Sequence, residues 1–339
     1  MKDNILLGKN PTELQDIAKS LGMPAFTGKQ LAEWLYKKRA ASFDEMSNIS
    51  LKNRQLLSEH YSIGRSLPSI ETVSNDGTKK YLFETEYGAV ESVYIPEEDR
   101  ATLCVSSQVG CKMNCLFCMT GKQGFSGNLT ATEILNQILS IPDSEKLTNI
   151  VYMGMGEPMD NTLEVLRSLN AMTEKWGLAW SPHRITLSTI GLIPGMKQFL
   201  EHSECHLAIS LHNPFGEERL QLMPIEKAYP IAKVVEELKK HDFAHQRRLS
   251  FEYIVFEGKN DSQRHASELV RLLKGLPCRI NLIRFHAIPE IDLKSPDSEK
   301  MIKFRDYLSE NGIICTIRRS RGEDILAACG MLSSKKSNI

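Results

Sequence analysis

From Ala101 onward, short β-rich runs alternate with longer helical ones, and this rhythm restricts the fold more than any other feature. The β-rich runs are Ala101 to Ser107, Asn149 to Met153, Arg184 to Ser188, His206 to Leu211, Ser250 to Phe256, Arg279 to Phe285 and Ile313 to Arg318. The helical runs between them are Thr130 to Ile141, Thr162 to Trp176, Gly195 to Glu201, Ile231 to His241, Ser262 to Lys274 and Ser298 to Asn311. Thr130 with Glu133 three residues on reads as a capping box. Strands joined through helices lie parallel, and a parallel sheet needs helices to cover it. No G-x-G-x-x-G fingerprint follows a strand, so the expectation is an α/β partial (β/α)6 barrel rather than a dinucleotide fold.

The first 80 residues have a different pattern. Leu31, Trp34 and Leu35 recur at helical spacing, and Asn53 to Tyr61 suits a short helix. No strand-rich pattern precedes Tyr81, so residues 1–80 read as a small helical accessory domain and 81–339 as the barrel. KKYLFETEYGAVESVYIPE holds two β-rich runs around Gly88 and predicts a hairpin leading into the barrel. The tail SSKKSNI reads as loose. No apolar run approaches the roughly 20 residues of a membrane helix. The start, MKDNILLGKN, lacks a signal-peptide pattern, so the expected compartment is the cytoplasm, with no membrane partner. Lys plus Arg and Asp plus Glu are 42 each, so global charge does not point to nucleic acid.

Eight cysteines are too few for a disulfide scaffold in 339 residues. Cys111, Cys115 and Cys118 form a C-x3-C-x2-C loop. Such a loop can wrap three thiolates around one corner of a compact object. A structural zinc site takes four ligands, commonly as two C-x2-C pairs, and no second pair lies nearby. A 4Fe–4S cluster held by three thiolates leaves one iron open for a small ligand. A zinc knob or three core cysteines remain the alternatives at this point.

In a parallel barrel, chemistry gathers at the C-terminal strand ends. Here those ends carry Gly154, Gly156 and Glu157, then Ser188 and Gly191, then Ser210 and His212, then His286. Each polar residue alone reads equally as a cap or turn residue. Four successive ends of this kind favour a ligand site. Cys104 lies seven residues before the cysteine loop. Cys329 lies in RGEDILAACGM, among small residues that let the chain bend, with Arg318, Arg319 and Arg321 upstream to hold phosphate or favour a thiolate. A lone cysteine is more often filler, and Cys205, Cys278 and Cys315 are read that way.

C-x3-C-x2-C with Phe117 before its last cysteine resembles the radical S-adenosylmethionine (SAM) signature, and GMGEP resembles the SAM-binding motif of those barrels. GAVESVYIPEEDRATLCVSSQVGCKMNCLFCMTGKQGF, GMGEPMDN, LAISLHNP and RGEDILAACG together resemble the RlmN/Cfr family of radical-SAM RNA methyltransferases. The likeness spans nearly the whole chain, including QLAEWLYKKRAASFDEM. It implies a 4Fe–4S cluster on Cys111, Cys115 and Cys118, and SAM contacts at Gly156, Glu157, Ser188, Ser210, Leu211, His212 and His286. His286 departs from members with Asn there, though both side chains donate and accept hydrogen bonds. The resemblance further implies that Cys329 carries a methyl group taken from one SAM. A radical from a second SAM activates that group, Cys104 resolves the adduct through a transient disulfide, and Glu91 removes the ring proton. Two SAM are consumed per turnover. The implied substrates are 23S rRNA at the peptidyl transferase centre and a tRNA adenosine next to the anticodon, modified at adenine carbon 2 in a flipped nucleotide. Methylation at carbon 8 is the alternative. The implied electron donor is a low-potential protein such as flavodoxin or ferredoxin. Residues 1–80 would help bind RNA. Local support for RNA lies in Lys37, Lys38 and Arg39, in Arg247 and Arg248, and in the Arg318 group, each of which reads equally as a solvated face.

Overall fold

A computed structural model describes residues 4–243 and 247–333. The tail 334–339, read above as loose, lies outside the described residues. Helices α1 (Pro11–Ser20), α2 (Thr27–Ala32) and α3 (Leu51–His60) build the N-terminal unit, with α2 running on into a wide helical turn, Glu33–Lys37. Asn10 caps α1 by accepting from Thr12 and Glu13, and the Glu13 side chain returns to the Asn10 N–H. That reciprocal pairing satisfies amides the first turn would otherwise leave open.

The sheet then begins with β1 (Ile70–Val73), β2 (Lys79–Thr85) and β3 (Gly88–Pro96), antiparallel to one another, and β3 pairs antiparallel with β4 (Ala101–Cys104). The hairpin expected around Gly88 is β2 and β3. Strand β1 corrects the reading of the first 80 residues as free of strands. Its four residues are mostly exposed, so it has no buried face to write an alternating pattern into the sequence. The ribbon β5 (Gln108–Gly110) and β6 (Phe125–Asn128) stands apart from the main sheet, with α4 (Met119–Lys122) between its strands.

Parallel strands β7 (Asn149–Tyr152), β8 (Ile185–Thr189), β9 (His206–Ser210), β10 (Leu249–Val255), β11 (Arg279–Arg284) and β12 (Ile314–Ile317) follow β4 in spatial order. The crossovers use α5 (Ala131–Leu139), α6 (Thr162–Thr173), α7 (Ile193–His202), α8 (Gly216–Leu222) with α9 (Ile231–Leu238), α10 (Gln263–Leu273) and α11 (Ser298–Glu310). That is six βα units ending in a seventh parallel strand. Among the described residues β1 and β12 do not pair, so the barrel is partial. Leu103, Ile150, Leu187, Leu207, Phe251 and Leu282, one from each of six adjacent strands, are fully buried in the core. The capping box opens α5 as expected: Glu133 N–H donates to Thr130 Oγ1 and Thr130 N–H to Glu133 Oε2. Helix α7 starts two residues before the expected Gly195, since Pro194 suits a first helical turn. No helix is long and apolar enough to cross a membrane among the described residues.

The N-terminal unit docks on α5 and α6. Tyr36 Oη accepts from Gly8 N–H at 3.0 Å and donates to the Lys9 carbonyl at 2.7 Å, while its ring meets Trp176 edge-on at 5.2 Å. Thr132 Oγ1 donates to the Leu7 carbonyl, and Arg167 pairs with Glu13 at 2.6 Å. The ion pair is over one-third exposed and contributes little; the buried tyrosine hydroxyl matters more. Tyr36→Phe therefore should lower unfolding stability by about 1–3 kcal/mol, because a buried N–H loses its acceptor. Chemical denaturation measures this, and an unchanged midpoint would refute it.

Candidate active site

Strand β5 ends at Gly110, whose positive φ of 76° and lack of a side chain let it lie against Gly124; a Cβ there would meet the Gly124 carbonyl at 1.8 Å. Cys111 N–H donates to that same carbonyl at 3.0 Å. The loop then turns through Asn114, also at positive φ, and Cys118 N–H donates to the Cys115 carbonyl. Leu116 N–H reaches the Leu222 carbonyl at 2.9 Å. The loop is thus a built turn. Phe117 packs edge-on against His212 at 4.8 Å and tilted against Phe256 at 5.5 Å, which aims Cys118 into a cavity at the strand ends.

That cavity, about 150 Å³, is lined by Gly154, Gly156, Glu157, Ser188, Ser210 and His212 from the C-terminal ends of β7, β8 and β9. Gly156 has φ of 97°, and a Cβ there would fall 2.5 Å from Gln108 Cβ. Glu157 is buried and accepts three hydrogen bonds, from Thr189 Oγ1 at 2.5 Å, Ile190 N–H at 2.9 Å and Met159 N–H at 3.0 Å. Burial outweighs these donors and lifts its carboxyl from the ordinary 4.5 to about 7. His212 Nδ1 accepts from Ile254 N–H at 3.0 Å, and burial, then Arg219, pull its pKa down to about 3. The ring is therefore neutral, with its proton on Nε2. Leu211 is buried behind the wall and offers its carbonyl to Arg219. His286 lies outside the lining, bonded to Ser320 Oγ at 3.1 Å and 3.6 Å from Glu323.

The C-terminal segment folds across the mouth, where Cys329, Gly330 and Leu332 join the lining. Met119 N–H donates to the Gly330 carbonyl at 2.8 Å and Thr120 Oγ1 to the Leu332 carbonyl at 2.8 Å. Cys329 is solvent-accessible, yet the surrounding protein raises its thiol pKa while the nearby Arg318 lowers it. Cys104 is buried at the end of β4; burial first, then the charge of Cys329, push its thiol up to about 12 against Arg318. The two thiols share one electrostatic neighbourhood. Glu91, on β3, is not in the lining. It pairs with Lys80 Nζ at 3.0 Å, accepts from Ser333 N–H at 2.9 Å, and is raised by burial above the usual carboxylate range.

Three functional side chains here escaped the sequence reading. Arg219 is fully buried, paired with Glu226, and donates to the carbonyls of Leu211, Ser210 and Ile190, tying the loops after β8 and β9 together. Glu226 sits seven residues on, in a separate helical turn that starts at Pro224 after α8 has ended, so helical spacing gave no signal for the pair. Gln108 crosses from β5 to accept from Glu157 N–H and donate to Asp160 and Asn128. Glu252 lines the cavity, takes Asn281 Nδ2 at 2.7 Å and Arg318 Nη1 at 3.3 Å, and was visible as a lone charge in the apolar run SFEYIVF.

Burial first, then the neighbouring Cys118 and Cys111, push the Cys115 thiol well up, and burial lifts Cys111 to about 12. Among the described residues no three His, Cys, Asp or Glu converge as a single ion requires. Thiols on one loop, close but not convergent, suit separate corners of a multi-atom iron–sulfur cluster.

Since native Glu157 keeps a proton that the unfolded chain releases between about pH 4.5 and 7, it costs stability as pH rises through that window, by about 3 kcal/mol at most. Wild type should therefore lose stability relative to Glu157→Gln between pH 5 and 8. Denaturation at both pH values tests this, and a constant gap between the two proteins would contradict it.

Comparison with known proteins agrees with this geometry. A family model described as the Radical SAM superfamily matches residues 105–270, and one described as the ribosomal RNA large subunit methyltransferase N-terminal domain matches residues 4–63. A Bacteroides fragilis protein named "Probable dual-specificity RNA methyltransferase RlmN" is 61% identical over 332 residues, covering 98% of this chain and 96% of the relative. A Marinobacter nauticus protein named "Dual-specificity RNA methyltransferase RlmN" is 41% identical over 338 residues, covering 96% and 92%. The crystal structure of a radical SAM methyltransferase from Sphaerobacter thermophilus has a TM-score of 0.92 at 36% identity, covering 98% of this chain and 99% of that one. Streptococcus suis SuiB, solved bound to S-adenosylmethionine, shares the fold alone, with a TM-score of 0.51 at 12% identity over 66% of this chain and 51% of that one. Likeness this high across nearly the full length means that the chain belongs to the RlmN family of dual-specificity RNA methyltransferases, within the radical SAM superfamily.

Proposed function

We propose that this protein methylates carbon 2 of adenosine in 23S rRNA and of the adenosine next to the anticodon in tRNA, using Cys329 as the methyl carrier. The observation that carries this reading is the meeting of Cys329, Cys104 and Arg318 beside the three-cysteine loop. A methyl transferase using simple displacement needs one acceptor; two thiols around one guanidinium suit a carrier and a resolving partner.

Cys329, helped by the positive charge of Arg318, attacks the methyl carbon of a first SAM, so that S-adenosylhomocysteine leaves and the cysteine becomes a thioether. When bound on Cys111, Cys115 and Cys118, a 4Fe–4S cluster with a second SAM supplies a 5′-deoxyadenosyl radical able to take hydrogen from that S-methyl group. The Cys329 methylene then adds to adenine carbon 2, a site too electron-poor for ordinary methyl transfer. Gly156 lets a ligand approach the backbone, and Ser188, Ser210, Leu211, His212 and His286 orient SAM. Three donors leave the Glu157 carboxylate one acceptor position for an ammonium group. Glu91 takes the ring proton once Ser333 moves away. Once the adduct radical has given up one electron and the ring proton, Cys104 thiolate attacks the Cys329 sulfur; the S–C bond breaks toward the base, whose methylene carbon takes the electron pair and a proton, closing a disulfide and freeing the methylated base. A flavodoxin- or ferredoxin-like donor supplies electrons. The helical N-terminal unit, up to about residue 80, helps hold the RNA.

Nucleoside mass spectrometry of rRNA and tRNA from a strain lacking the gene tests the reading. 2-Methyladenosine should vanish, return with the wild-type gene, and stay absent with Cys329→Ala. Its persistence in the deletion strain, or loss of 8-methyladenosine instead, would overturn the assignment.

A further inference from the structure

Strands β9 to β12, whose C-terminal ends border the methylation cavity, frame a second, larger cavity at their other ends. It measures about 900 Å³ and lies at the N-terminal ends of β9 to β12. Among the described residues its wall holds Arg247, Arg248, Lys274 and Arg279 with the rings of His183 and His206, and no aspartate or glutamate. Four cations gathered without counter-charge repel one another. The carboxylates that reach them stand outside the wall: Glu204 acts on Arg247, and Glu252 acts on Arg248 but is already bonded to Arg318 and Asn281. Arg247 is the telling member. It is only 9% exposed, donates from Nη1 to the Leu200 carbonyl at 3.2 Å and leans on the Phe199 ring, yet its buried Nε–H has no partner. That atom is sealed from the cavity as well as from solvent, so Arg247 acts on a ligand through its charge rather than through Nε. His206 cannot help: its Nδ1 accepts from Arg248 N–H, and burial, then the surrounding cations, pull its pKa down to about 4.

We propose that this cavity is a phosphate-binding site, distinct from the methylation site, that takes a phosphoryl group of an RNA backbone or of a free phosphorylated small molecule. Guanidinium groups match phosphate oxygens in pairs, and several in one concavity suit a polyanion better than a single carboxylate. Arg279 and Ile283, which lines the methylation cavity, sit on one strand about 13 Å apart at ~3.3 Å per residue. The two sites can therefore be filled together.

The test titrates the reconstituted full-length protein with sodium pyrophosphate and, separately, with a 12-residue oligouridylate, beside the Arg248→Ala/Arg279→Ala variant. Both arginines are exposed, so the variant should fold, and its melting curve checks that. At least one probe should bind saturably to wild type and at least tenfold more weakly to the variant. Loss of pyrophosphate binding assigns a free phosphorylated ligand, and loss of oligouridylate binding alone assigns the RNA backbone. No saturable binding of either probe, or equal binding to both proteins, would overturn the proposal. Neither outcome depends on whether carbon 2 is methylated.

Discussion

One backbone hydrogen bond, from Met119 N–H to the Gly330 carbonyl, joins the cysteine loop to the segment carrying Cys329. It brings the thiols of Cys118 and Cys329 to one cavity. Thr120 to Leu332 and Ser333 to Glu91 repeat the contact on either side. Each such bond contributes only about 0.5–1.5 kcal/mol net. The segment is held by several such bonds together, including those of Asp324 to Ser74 and Asn75 and of Gly322 to Asp76.

The rigid side of the site has a different source. Arg219 and Glu226 form a buried pair whose remaining donors fix three carbonyls at two adjacent strand ends. Removing one member of such a pair strands a charge and costs about 3–5 kcal/mol, whereas the pair itself adds little net stability. Its value is geometric: it sets the loops that carry Ser210, Leu211 and His212. The glycines at 110 and 156 act the same way, allowing backbone contacts that any side chain would block.

Much of this was written locally in the sequence. Strands β4, β9 and β10 announce themselves because both faces are buried, β10 at all seven positions. The α5 cap and the cysteine spacing are local and were legible. Strand β1 was not, because its residues are mostly exposed. Arg219 was not, because its carbonyl partners stand on two separate segments, after β8 and after β9. The Glu91–Lys80 pair depends on the β2–β3 register, which a sequence does not print. His286 stands just past the end of β11, as read, and its neighbours there, Ser320 and Glu323, come from a distant segment that a sequence does not show. Pattern finds elements and motifs; convergence of distant side chains is a property of the folded chain.

The central claim is that Cys329 and Cys104 act as carrier and resolving thiol. Peptide mapping by mass spectrometry of Cys104→Ala, recovered after reaction with substrate RNA, tests it most directly. An adenosine-bearing adduct on the peptide containing Cys329 is the predicted result. Methylated RNA released with no adduct, or an adduct on another residue, would contradict the account.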